Sequence, residues 1–286
     1  MNSTKSTYLN VKDHSVSGEM FQLVYNDSLE LLETLPQPKP EDLPKYYKSE
    51  DYISHTDSKR NLLEKVYHIV RKRSLKSKLK LVNSFSSDNK QLLDIGCGTG
   101  DFLATAQKDG WQVTGVEPDQ QARQIANSKT NNAVFDIKHL ESLQQNSFDV
   151  ITLWHVLEHL PQLEMHIKLL QYLLKPNGTL VIAVPNYNSY DAQYYKEFWA
   201  AYDVPRHLWH FSKASISKLF AKEAMEVERI LPMVFDAYYV SLLSEKYKSG
   251  FMNPFRAFWI GLRSNLKAKR SKEYSSHIYV LKHKNT

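Results

Sequence analysis

A chain of 286 residues, 42% hydrophobic and 24% charged, has the balance of a globular protein that buries an ordinary core, and is neither disordered nor fibrous in composition. Its single cysteine, Cys97, excludes an internal disulfide framework and a cysteine-built zinc site, and predicts a reducing, cytoplasmic setting. The net charge of +6 includes basic runs at Arg71–Lys80 and Leu266–Lys272, which are solvated helix faces or contacts for nucleic acid or an anionic membrane; no zinc finger, RNP-type sequence or repeat supports nucleic acid as a partner.

Residues 1–56 are polar and punctuated by PQPKPEDLP at 36–44, which predicts an extension of short strands or turns. The first residues hold no apolar stretch of signal-peptide length, and no later run approaches a membrane span, so neither export by that route nor a transmembrane segment is expected. From about Asp57 to Val82 apolar residues recur at helical spacing among lysines and arginines, predicting an amphipathic helix. Strands and helices then alternate. QLLDI, QVTGVE, AVFDI, SFDVITLWH and TLVIAVP are five strands; DFLATAQKDG, QQARQIANSKT and LEMHIKLLQYLL are helices between them, the last stopped by KPNG at 175–178. This repetition implies a parallel sheet covered on both faces. A further helix is expected near 213–224, with strands at Val227–Pro232 and His277–His283. Two aromatic stretches interrupt the pattern, at about 186–212 and 238–272, and are expected to cap the sheet.

The first strand ends in Asp94, Gly96, Gly98 and Gly100, where open parallel sheets bind ligands and glycine lets the backbone approach closely. Dinucleotide enzymes place G-x-G-x-x-G here, but this chain has Asp101 at the third glycine position. An aspartate at a helix start repels a pyrophosphate, which favours a cofactor without one. Glu117 ends the second strand, 21 positions after Gly96, where a carboxylate can accept from both ribose hydroxyls. Asp136 ends the third and can accept from an adenine amino group.

LLDIGCGTGDFL, VEPD, FDI, FDVITLWHVLEHL and LKPNGTLVIAVPN together resemble the successive motifs of class I S-adenosylmethionine-dependent methyltransferases over roughly residues 60–235. PRHLWHFS at 205–212 is similar to a segment of the subgroup resembling ubiquinone-biosynthesis O-methyltransferases. The resemblance implies an α/β, Rossmann-like, seven-stranded, mostly parallel sheet with helices on both faces, an N-terminal arm over 1–56, and a catalytic domain over 57–286 carrying the two cap insertions. It implies S-adenosyl-L-methionine as cofactor, with Asp94 and Gly96 at its methionine end, Glu117 at the ribose, and Asp136 and Ile137 flanking the adenine. Ile95, Cys97, Gly98, Pro118 and Trp154 complete the cofactor-binding set. KYYKSEDYISH at 45–55 resembles an arm that closes over the cofactor, making Tyr52 and His55 lid residues.

Methyl transfer to a small, apolar or aromatic acceptor is then the expected reaction, with oxygen the acceptor atom that the resemblance implies. Enzymes of this kind mainly align the nucleophile and exclude water. His155, at the end of the fourth strand, is the first choice of base, with His207 and His210 as further candidates. His155, Glu158 and His159 stand at i, i+3 and i+4. Such a set binds a divalent metal or hydrogen-bonds the loop, and the acidic residue that related enzymes have in place of His155 argues against a metal. Arg206 and Trp209 are substrate-binding candidates, Arg206 for an anion; its alternative role is a salt bridge fixing the cap, as His207 and His210 are alternatively buried locks. Residues 251–272 read as an interfacial helix or as an apolar lid. Methylation of nucleic acid or protein, and a sensor that binds without turnover, are the competing functions.

Overall fold

The computed structural model describes residues 6–47, 62–85 and 89–284. Strands β1 (Ser6–Lys12), β2 (Met20–Asn26) and β3 (Leu31–Leu35) form an antiparallel meander. Helix α1 (Leu62–Asn83) turns Leu75, Leu79 and Val82 inward, the stripe that the helical spacing predicts. The alternating region follows as β4 (Gln91–Ile95), α2 (Asp101–Lys108), β5 (Gln112–Val116), α3 (Gln120–Lys129), β6 (Val134–Phe135), β7 (Phe148–Trp154), α4 (Leu163–Leu173) and β8 (Leu174–Pro185). The cap holds α5 (Tyr190–Tyr195), two short 3₁₀ turns and β9 (Trp209–His210). The chain ends with α6 (Lys213–Ala221), β10 (Met225–Pro232), α7 (Asp236–Ser249), α8 (Pro254–Ser271) and β11 (Ser276–His283).

Seven strands make one sheet in the order β10-β11-β8-β7-β4-β5-β6, parallel from β8 to β6 and antiparallel at β11 and β10. The two-residue period of the strands sorts the core into two layers. Leu93, Ile95, Ile151, Leu153, Ile182 and Val184 face α4 and α6, whereas Leu92, Val150 and Val181 face α1, α2 and α3.

Three details depart from the expected elements. AVFDI shortens to Val134–Phe135, because the Asp136 side chain accepts from Lys138 N and starts a 3₁₀ turn instead. KPNG does end a helix, but it bulges out within β8: Phe148 pairs with Leu174 and Val150 with Thr179, leaving Lys175–Gly178 looped between. The N-terminal meander gains a fourth strand from the cap, β9, which pairs Leu32 with His210 and Glu33 with Trp209. A separate core of Val11, Phe21, Leu23, Trp199 and Tyr202 lies between this small sheet and the cap. Its aromatic polar ends are satisfied: Trp199 Nε1 donates to Asp191 and Tyr195 Oη to Glu245.

Candidate active site

The site lies at the carboxyl ends of β4, β5 and β7. After Ile95 the chain turns through glycines in the left-handed region. At Gly98 an added Cβ would meet no atom within 4 Å, so this peptide faces open space. At Gly100 it would come within 2.9 Å of the Ala126 backbone, so glycine is what lets the loop lie against α3. Two buried carboxylates stand at the ends of neighbouring strands, Asp94 in β4 and Glu117 just after β5.

Glu117 Oε2 accepts from Gly98 N at 2.8 Å and Oε1 from Asp119 N at 3.0 Å, which fixes the carboxylate beside the loop. Burial raises its pKa against those two bonds. Asp94 accepts from Thr152 Oγ1 at 2.6 Å; burial, aided by the Glu117 charge, pushes it up to about 7, while Thr152 and Lys78 pull the other way. A buried carboxylate of this kind is poised to be stabilised by a cationic ligand.

The other expected cofactor residues surround this pair. Ile95 is buried behind the loop, and Cys97 is a partly buried thiol that burial pushes well up, which makes it inert. Pro118 is exposed, its carbonyl accepting from Arg123. Asp136 is half-exposed and 3.4 Å from Arg123, and Ile137 packs partly buried beside it. Trp154 sets its ring edge-to-face with Phe102 and leaves Nε1 buried without a partner. Tyr52 and His55 lie outside the described residues. The Asp101 charge is met by Lys129 at 2.9 Å and by Arg71, so its visible task is to tie α1 and α3 to the loop; the repulsion argued from it is weakened accordingly.

Lys78, inside the basic run of α1, is a site residue that the sequence pattern does not reveal. Its ammonium stands 4.3 Å from the Trp154 ring centroid. Burial lowers its pKa, with Asp94 and Asp236 drawing it back up. Asp236, the first residue of α7, was also unforeseen.

His155 directly follows β7 with φ +58°, a backbone conformation that non-glycine residues use sparsely and that collects at functional sites. Its Nε2 lies 3.1 Å from Asp236 and its Nδ1 3.3 Å from Glu158. Desolvation lowers its pKa, but the two carboxylates outweigh it and carry His155 up to about 10. The two carboxylates thus favour its imidazolium form at neutral pH.

Glu158, His159 and His207 offer ligand atoms within 4.8 Å of one another, a donor set that can hold a divalent cation. Each imidazole is oriented through Nδ1–H on a backbone carbonyl, His159 to Arg206 at 3.0 Å and His207 to Ala201 at 2.9 Å. Burial, then the His207 charge, lowers His159 to about 4. The Glu158 oxygens are buried without a hydrogen bond, and the charge beside them is that of His155, which with His207 and His159 offsets burial and keeps the Glu158 pKa low.

Of the remaining acceptor-site candidates, Arg206, His207 and His210 are buried and Trp209 is partly buried. Arg206 is only 3% exposed and donates through Nε to Asp203, Nη1 to the Tyr46 carbonyl, and Nη2 to Asp13 and Ser15, so its charge is met by buried partners that fasten the cap. Trp209 Nε1 donates to the Leu160 carbonyl. Thr34 Oγ1 gives its proton to the His207 carbonyl and therefore accepts from His210 Nε2 at 2.9 Å, which locks His210 as a buried, neutral ring. His207 lies against His159 with ring centroids 4.5 Å apart.

A Rossmann-like sheet with a glycine loop between two acid-ended strands is a fold that S-adenosylmethionine-dependent methyltransferases share. The chain belongs to the methyltransferase-domain family, whose model matches residues 67–228. Among curated relatives it is similar to the ubiquinone biosynthesis O-methyltransferases of Idiomarina loihiensis, 32% identical over 106 residues, and of Coxiella burnetii, 33% over 105. Each match takes in 35% of this chain and 44% or 45% of the relative, so the chain spans less than half the length of these relatives. Among solved structures it is similar to magnesium protoporphyrin IX methyltransferase from Synechocystis with bound SAH, at TM-score 0.55 and 15% identity over 85% of this chain and 99% of that one. A SAM-dependent methyltransferase from Archaeoglobus fulgidus gives TM-score 0.51 and 19% identity over 73% and 93%. These two show the shared fold.

Proposed function

We propose that the protein is a cytoplasmic enzyme that transfers the methyl group of S-adenosylmethionine to an oxygen nucleophile on a small acceptor by in-line displacement. The observation that carries this reading is the placement of two buried carboxylates at the ends of adjacent parallel strands, Asp94 in β4 and Glu117 just after β5, with Glu117 bonded to Gly98 N and His155 directly after the neighbouring strand β7. When bound, S-adenosylmethionine supplies a methyl group on a positively charged sulfur. Glu117 would hold the ribose diol, Asp94 the cationic methionine end, and Trp154 with Phe102 would wall the pocket. In this reading residues 1–56 act as a lid over the catalytic domain, residues 57–286. Calorimetric titration is expected to show binding of S-adenosylmethionine and of its demethylated product, and an acceptor panel to show turnover with an oxygen nucleophile. Binding without turnover on any acceptor would leave a sensor instead.

His155 would take the acceptor proton at Nε2, the nitrogen Asp236 now engages. With a pKa near 10 the ring must first lose its own proton, so kcat/KM should rise with pH into the alkaline range. Asp236→Asn removes an anion that favours the imidazolium, so the rise should move to lower pH. A profile left unmoved by Asp236→Asn would remove His155 from this role. The clasp has a stability counterpart of opposite direction: a raised histidine pKa adds stability that is full below pH 6.5 and is lost as pH climbs through about 10.

A further inference from the structure

Helix α8 is packed inside out. Toward α7 and α5 it turns Ala257, Ile260, Gly261, Ser264 and Ala268, a mostly small-residue face, and an added Cβ at Gly261 would collide with Tyr238. Away from the protein it turns Phe255, Phe258, Trp259 and Leu266, with Phe255 87% and Trp259 63% exposed. Phe251 and Met252 extend this stripe over the hairpin tip. A surface helix ordinarily does the reverse, and a continuous exposed apolar patch marks a contact surface.

Charge selects what covers it. Helix α8 carries Arg256, Arg263, Lys267, Lys269 and Arg270 and no acidic residue. Arg263 and Lys267 are held at the flank, 5.5 and 4.1 Å from the Tyr190 ring centroid. Aromatic anchors rimmed by cations are complementary to phosphodiester headgroups over hydrocarbon. No helix among the described residues is long and apolar enough to cross a membrane, so such contact would be peripheral. The stripe also reaches the site: Tyr238 stacks on Phe258 at 5.5 Å, and Val234, Phe235 and Tyr239 are exposed around Asp236, the partner of His155.

We propose that the α7–α8 hairpin seats the protein on an anionic lipid surface, with α8 in the headgroup plane and its aromatic face inserted. The test is co-sedimentation of the full chain with vesicles of phosphatidylcholine alone and of phosphatidylcholine with phosphatidylglycerol. Binding is expected to the anionic vesicles, and at least about tenfold weaker binding to neutral ones or in roughly molar salt. Phe255→Ser/Phe258→Ser/Trp259→Ser should weaken binding by at least about tenfold with at most a small drop in melting temperature, since all three side chains are exposed and the Phe258 stack on Tyr238 lies at the surface. Absent binding to anionic vesicles, equal binding to neutral ones, or a triple variant that binds like wild type would overturn the proposal. So would light scattering that shows a dimer abolished by the triple variant in a protein that ignores vesicles, which would assign the stripe to a second copy.

Discussion

Glu117→Ala is expected to weaken S-adenosylmethionine binding by at least about tenfold in calorimetric titration. The carboxylate uses two of its roughly four acceptor positions on Gly98 N and Asp119 N, and two remain for a vicinal diol. Hydrogen bonds to a charged group contribute about 1.5–3 kcal/mol, and about 1.4 kcal/mol is tenfold in affinity. Truncation also frees Gly98 N, so the loop loses its anchor together with the ligand contact. Asp94→Ala should weaken binding through a different term. Its carboxyl is held near pH 7 by burial, and a cation brought beside it gains by returning it to the ionised form. Unchanged affinity in both variants would overturn the assignment of this cleft to S-adenosylmethionine.

What was legible in the sequence was local. Strand β4, its glycine loop and α2 lie within one short stretch, and Glu117 follows at a fixed spacing, so periodicity and glycine placement were enough to find them. Asp236 and Lys78 were invisible because each reaches the site from a distant element, and a charged residue in a helix ordinarily points to solvent. The histidines of PRHLWHFS showed the limit from the other side. Their chemistry suggested catalysis, but the pairing of β9 with β3 turns His210 onto Thr34, and no local pattern foretells that pairing. In α8 the aromatic and basic residues were plain, whereas which face is buried depends on the small-residue surface presented to Tyr238 and Ala237. In the sequence the three acidic strand ends differ only in the part of the cofactor each is expected to hold. The structure separates them: Asp94 and Glu117 are buried at the loop, while Asp136 is half-exposed and caps a turn.

Arg206→Leu is expected to destabilise the fold by about 3–5 kcal/mol in denaturant unfolding, because it leaves a buried carboxylate without its counter-charge. Asp13 is 1% exposed and lies 3.1 Å from the guanidinium. Burial alone would raise its pKa; bonds from Ser17 and Ser15, with the Arg206 charge, reverse the sign and hold it below the usual aspartate range. A lowered carboxylate pKa adds stability that is present above about pH 4 and is lost as pH falls. Removing Arg206 takes away a large part of that lowering, so the penalty of the variant should shrink on acidification as Asp13 accepts a proton. A double-mutant cycle with Asp13→Ala separates the pair from the packing of the long side chain. The double variant should cost less than the two single costs added together, with a coupling of about 0.5–3 kcal/mol for groups in contact. Strict additivity would show that Arg206 acts through packing and through its bonds to Asp203, Ser15 and the Tyr46 carbonyl rather than through Asp13. Because the Arg206 carbonyl also accepts from His159, the loosened cap should carry over to the site, and turnover should fall at temperatures where the variant is still folded.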